Sequence, residues 1–185
     1  SIALAQRHRL TRVESQNFPL LGSTMFRWRI PDRRSIDTVS RQLMASGSVK
    51  SVQRNYRFTL QQDGTASDAG QYAIGKLHLR DAHTLTRGND IKIAVIDSGV
   101  DVAHPELAGV IAGTFDALRS TEGPHTHGTG IAGAIAAHPK LTGSAPAARL
   151  FAIRPSGAPS PGAGSPSFVV PQSLNYAVAQ SAPFF

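Results

Sequence analysis

Two residues of this sequence stand where chemistry can be done, Asp97 and His127, thirty positions apart. Asp97 ends the run Ile91–Ile96 (IKIAVI), apolar with one charge, the pattern of a parallel strand buried on both faces. A carboxylate just past such a strand lies at the carboxyl edge of the sheet, where open α/β folds build their sites. The plainer alternative is a strand-end aspartate capping the turn that Ser98-Gly99 supply. His127 opens the stretch His127–Ala137 (HGTGIAGAIAA), whose small apolar residues suit a buried helix. An imidazole at a helix start can act as a base, and the neighbouring glycine lets backbone and substrate come close. The plainer alternative is a surface histidine in a polar loop.

The elements that must position this pair can be read around it. Ala147–Ile153 (AARLFAI) reads as a second parallel strand, Gln71–Leu85 holds a short helix, and Ser173–Gln180 (SLNYAVAQ) is a further helix. Pro155–Ser167 is a Pro/Gly/Ser loop of low complexity. Strands alternating with helices predict an α/β fold with right-handed crossovers. A different pattern precedes it. Ile2–Leu10 forms a helical face; Thr11–Leu20 and Ser23–Ile30 read as strands, the second with Phe26, Trp28 and Ile30 at period two. Ser35 is the expected N-cap of a helix through Met44, with Ile36, Val39, Leu43 and Met44 at helical spacing and Gly47 as its stop. Val49–Leu60 reads as a last strand. The order helix, strand, strand, helix, strand is a small α+β ferredoxin-like unit lacking its first strand.

Composition bounds the remaining classes. The chain has 185 residues, 41% of them apolar, enough for a core and too many for wholesale disorder. It has no cysteine, which excludes disulfides and thiolate metal sites. No apolar run approaches the roughly 18 residues of a membrane span, so no membrane partner is expected. Residues 1–65 carry 11 Lys/Arg against 4 Asp/Glu, while 66–185 carry 8 of each. A basic first third can mark a nucleic-acid surface. Here Phe18, Phe26, Trp28, Tyr56 and Phe58 fall at strand positions and read as core, so a solvated arginine-rich face is expected and no nucleic-acid partner. The charge shift coincides with residues 61–70 (QQDGTASDAG), small and polar as a linker should be. The expected organisation is therefore a domain over 1–60, a linker over 61–70 and a second domain over 71–185.

The two chemical stretches taken together are more specific than either. Ile91–Leu107 (IKIAVIDSGVDVAHPEL) resembles the aspartate motif of the subtilisin-like serine proteases, the subtilases. His127–Ala137 resembles their histidine motif, H-G-T-x-hydrophobic-A-G, and the order and spacing also match. The resemblance implies a partial subtilisin-like parallel sheet with helices and a serine endopeptidase by family, acting on polypeptide substrates. It implies that Asp97 orients His127 and stabilises its imidazolium, while His127 takes the proton of a serine and passes it to the leaving amine. The family serine lies in a G-T-S-x-A motif, and that motif does not occur in this sequence. Gly143-Ser144-Ala145 is the nearest look-alike, but it matches the family's G-x-A-P stretch and is not the expected nucleophile. The resemblance thus implies a precursor fragment that is inactive alone.

The first domain acquires a role from the same resemblance. Residues 1–60 resemble the subtilase propeptide, an intramolecular chaperone and inhibitor, with Val52–Phe58 (VQRNYRF) as its closing strand and Arg54 where a proline is usual. This implies that Thr59–Ala66 lies in the active-site cleft and is the processing region, and that the protein is secreted or held in the cell envelope. An alternative is an inhibitor or chaperone module acting on another, active subtilase. No cofactor is expected. Calcium occurs in the family, but Glu106 falls where relatives often place an aspartate ligand and the following ligand loop is shortened to His138-Pro139-Lys140, so no metal is expected. His125 and His127 could pair as ligands, but no Cys or third His lies nearby.

Overall fold

The apolar run that ends in Asp97 is a strand covered on both faces. The computed structural model describes residues 2–19, 22–58, 71–155, 165–166 and 168–180. They fall into two units, Ser1–Tyr56 and Arg57–Phe185. The expected linker 61–70, the processing region Thr59–Ala66 and most of the loop 155–167 lie outside the described residues.

In the first unit, helix α1 (Ile2–Arg7) leads into an antiparallel hairpin of β1 (Thr11–Phe18) and β2 (Ser23–Arg29), followed by helix α2 (Ile36–Ala45). The Ser35 hydroxyl caps α2 as expected, accepting from the Thr38 N–H at 3.1 Å. Gly47, at φ 63°, turns the chain out of the helix in a conformation that costs glycine little. Leu4, Ala5, Leu10, Val39 and Leu43 form the core, with Trp28 and Ile30 packed against it. Asp32, after the hairpin, is gripped by the Arg34 guanidinium at 2.8 and 2.9 Å, which lowers its carboxyl pKa below the ordinary value.

The predicted last strand, Val49–Leu60, is not what forms. Residues 49–56 take no ladder, and among the described residues of that span only Arg57–Phe58 is a strand, β3, which belongs to the second unit. The reason lies in the spacing: the residues that reach the core are Val49 and Val52, three apart, where a strand face requires two.

The second unit is a three-stranded parallel sheet of β4 (Lys92–Ile96), β5 (Ile111–Asp116) and β6 (Arg149–Arg154) in the order β4-β6-β5. Two short helices precede it, α3 (Tyr72–Lys76) and α4 (Leu79–Leu85). Helix α5 (Thr126–Ala136) connects β5 to β6, and α6 (Val170–Ala179) follows a short strand β7 (Ser165–Pro166), which pairs antiparallel with β3. Ile93 and Val95 of β4 and Leu150 of β6 pack with Ala132 and Ala136 of α5. The alternate residues Ala94, Phe151 and Ile153 pack with Ala177 of α6 on the other face. Two covered faces explain the unbroken apolar sequence of β4 and β6. Each fully buried side chain such as Leu150 contributes about 1.5–3 kcal/mol, which keeps the strand ends where the site needs them.

β5 is an addition to the expected elements. Its sequence, IAGTFD, has Gly113 where a strand face wants a side chain. The Phe151 ring supplies that missing volume, lying 3.1 Å from where a Gly113 Cβ would be, and Phe115 stacks on Tyr176 of α6 at 4.6 Å.

Candidate active site

Asp97 stays in the ladder one residue beyond β4, its N–H donating to the Ile153 carbonyl at 3.0 Å. The chain then turns through Ser98-Gly99, which aims the carboxylate off the sheet edge. His127 stands in the first turn of α5. Its Nδ1 lies 2.7 Å from Asp97 Oδ1. A carboxylate only accepts, so Nδ1–H is the donor and the neutral ring keeps its lone pair on Nε2. The two sequence-predicted site residues are thus in direct contact, with side chains 16% exposed at Asp97 and 27% at His127, open enough for a reactant to reach the imidazole.

The same oxygen of Asp97 also accepts from the Ser98 N–H at 2.6 Å and the Ser98 hydroxyl at 3.1 Å. The buried Ser98 hydroxyl in turn accepts from the Gly128 N–H at 2.9 Å. Further bonds tie the turn to the helix start: His125 N–H to the Gly99 carbonyl at 2.7 Å, and Asp101 N–H to the Thr129 hydroxyl at 2.9 Å. Gly128 is what allows this closeness, because a Cβ there would come 2.5 Å from the Ser98 carbonyl oxygen. The sequence marks Ser98 as a turn residue and Gly128 as a point of close approach; the bonds that Ser98 and Thr129 make between the turn and the helix start are not legible in it. The H-G-T and D-S-G strings contain these residues, but their roles depend on α5 lying against the end of β4.

Ser144 is elsewhere. Its N–H donates to the Ala134 carbonyl near the far end of α5, and seven residues of helix put that point about 10 Å along the axis from His127.

Of the candidate ligand pair, His127 is bonded to Asp97 through Nδ1, and His125, like His104 on another segment, is engaged by a backbone N–H. His125 Nδ1 accepts from the His127 N–H at 3.1 Å, and His104 Nδ1 accepts from the Glu106 N–H at 3.2 Å. In each ring Nδ1 is thus already engaged as an acceptor. Both rings line a cavity of about 500 Å³ with Asp101, Glu106 and Thr129; neither Asp97 nor His127 lines it. Glu106 is buried, and its Oε2 accepts from the backbone N–H of Lys140 at 3.2 Å and of Leu141 at 2.8 Å, which ties it to the 140–141 backbone. Among the described residues, no group of three or more His, Asp or Glu is arranged to hold a metal ion.

Residues 88–179 match the model of the subtilase family. Thermitase of Thermoactinomyces vulgaris is 34% identical over 91 residues, which cover 45% of this chain and 33% of that protein. The major intracellular serine protease of Bacillus subtilis (strain 168) is 35% identical over 107 residues, covering 51% and 32%. The chain spans about a third of the length of these curated relatives. Among solved structures, fervidolysin from Fervidobacterium pennivorans, described as a keratinolytic enzyme related to subtilisin, superposes with a TM-score of 0.64. At 17% identity, over 98% of this chain and 32% of that one, the likeness is one of fold.

Proposed function

We propose that this chain, whose residues 88–179 match the subtilase family, is part of a serine endopeptidase precursor in which Asp97 and His127 are two members of an Asp-His-Ser triad. The observation that carries this reading is the 2.7 Å contact between Asp97 Oδ1 and His127 Nδ1, made by a strand end and a helix start. Asp97 holds the ring in the tautomer that leaves Nε2 free to take a serine proton, and it stabilises the imidazolium that results. His127 then returns that proton to the leaving amine. Polypeptide is the proposed substrate.

No G-T-S-x-A motif occurs in the sequence, and we propose that this polypeptide alone does not turn over peptides. A fluorophosphonate probe, which labels activated serines, tests this on the chain itself. No labelling is expected; labelling of Ser98, Ser144 or any other serine of the chain would overturn it.

Residues 1–60 are proposed as the intramolecular propeptide and 71–185 as the first part of the catalytic domain. One observation supports a boundary near that point: residues 1–56 form a unit with its own core. Arg57–Phe58 belongs to the second unit and pairs with Ser165–Pro166 in a separate two-stranded ladder. Thr59–Ala66 is proposed as the processing region. The second reading, an inhibitor or chaperone acting on another subtilase, draws on the same observation. Inhibition of an active subtilase by the full chain would favour it; its absence would remove it.

Of the aromatics read as core at strand positions, Phe18 is buried and Trp28 is packed on the core of the first unit, whereas Tyr56 is 57% exposed and lies in no strand; we propose no nucleic-acid partner. No described helix is long and apolar enough to cross a membrane. A secreted or cell-envelope location is proposed from the family, and fractionation of the native host tests it.

A further inference from the structure

We propose that Arg154 is a positioning residue for the Asp97–His127 pair, a role that rests on the reading of that pair as catalytic. Arg154 is the last residue of β6 and is 8% exposed, a cation taken almost wholly out of water. Such a group is costly to bury unless its donors are met, and here they are met by one loop. One terminal nitrogen, Nη1, donates to the Glu122 carbonyl at 2.6 Å and the Ser120 hydroxyl at 3.2 Å, and lies 3.7 Å from Asp116 Oδ2. The other, Nη2, donates to the Gly123 carbonyl at 2.5 Å.

That loop, 116–123, is the one that enters α5 and so delivers His125 and His127. The guanidinium also occupies the space beside Gly99 that a Cβ would fill, so that only glycine admits it there. Gly99 belongs to the turn that aims Asp97, and its carbonyl accepts from the His125 N–H at 2.7 Å. Arg154 therefore touches both segments whose separation sets the Asp97–His127 distance. A planar fork reaches three acceptors in fixed directions; a lysine ammonium on a flexible stem brings the charge without that geometry.

The test is the proton between His127 Nδ1 and Asp97, which resonates far downfield of the amides in the ¹H spectrum of the full chain. In Arg154→Lys, exchange of that proton with water should speed up by about tenfold or more, or the signal should be lost. Amide protection in β4 and β6 should persist. Ser120→Ala removes one acceptor and no charge, and should accelerate exchange in the same direction by less. A role confined to stability would lower the melting temperature and leave the resonance unchanged well below it. Wild-type exchange in folded Arg154→Lys overturns the proposal; where Arg154→Lys does not fold, wild-type exchange in Ser120→Ala overturns it. A wild-type chain with no such resonance would instead remove the catalytic reading of the pair.

Discussion

Replacing Gly128 by alanine puts one methyl group into the closest contact of the site. The added Cβ would lie 2.5 Å from the Ser98 carbonyl oxygen and 2.9 Å from the Ser98 hydroxyl oxygen. Both are below the separations real side chains adopt, and the nearest atom is backbone, so α5 must lift from the end of β4 by at least half an ångström or so. Overpacking of this kind costs about 1–3 kcal/mol, and the Gly128 N–H to Ser98 bond, 2.9 Å long, is worth a further ~1 kcal/mol. Alanine's helix propensity offsets about 1 kcal/mol of that. The net expectation is a loss of about 1–3 kcal/mol, or roughly 2–12 °C in melting temperature for a chain of this size. Gly130 is the internal control: it is exposed on the same helix, with nothing within 4 Å of its added Cβ. Gly130→Ala should stabilise by up to about 1 kcal/mol. Urea melts followed by far-UV circular dichroism separate the two variants. Equal stability of Gly128→Ala and Gly130→Ala would refute the close seating of α5 on β4.

Two further outcomes follow from charged groups away from the pair. Millimolar calcium or EDTA should leave the melting temperature unchanged, whereas Glu106→Gln should lower stability by about 1.5–3 kcal/mol through weakened bonds to the Lys140 and Leu141 N–H groups; a calcium-dependent rise would contradict the assignment of Glu106 as an internal anchor. Asp32 should titrate below the ordinary aspartate range by NMR and return to it in Arg34→Gln. Because its folded pKa is lowered, the small stabilisation from this exposed pair is present above the unfolded pKa and fades as pH falls through the folded one.

What was legible in the sequence is what local pattern determines. β4, α2 with its Ser35 cap, and the small-residue helix behind His127 each follow from periodicity and end signals within a dozen residues. The pairing of Asp97 with His127 came from motif resemblance, since nothing local relates residues thirty positions apart. β5 escaped notice because its Gly113 is completed by Phe151 of another strand. The strand expected over 49–60 rests on β-prone residues, but of these Val49 and Val52 pack on the core of the first unit three positions apart and residues 49–56 take no ladder. Ser98 and Arg154 look like any polar strand-end residue until the turn, the loop and the helix start are brought together. Glu106 was read as a weakened metal ligand, and only the orientation of the 140–141 backbone shows a different engagement.

The catalytic pairing is tested most directly by ¹⁵N NMR of the His127 ring in the intact chain. With Nδ1 donating to Asp97 at 2.7 Å, the neutral ring should carry its proton on Nδ1 and show an unprotonated Nε2. Asp97→Ala should release the ring to the tautomer protonated on Nε2. A wild-type His127 already protonated on Nε2, with a bare Nδ1, would contradict the pairing and the function built on it.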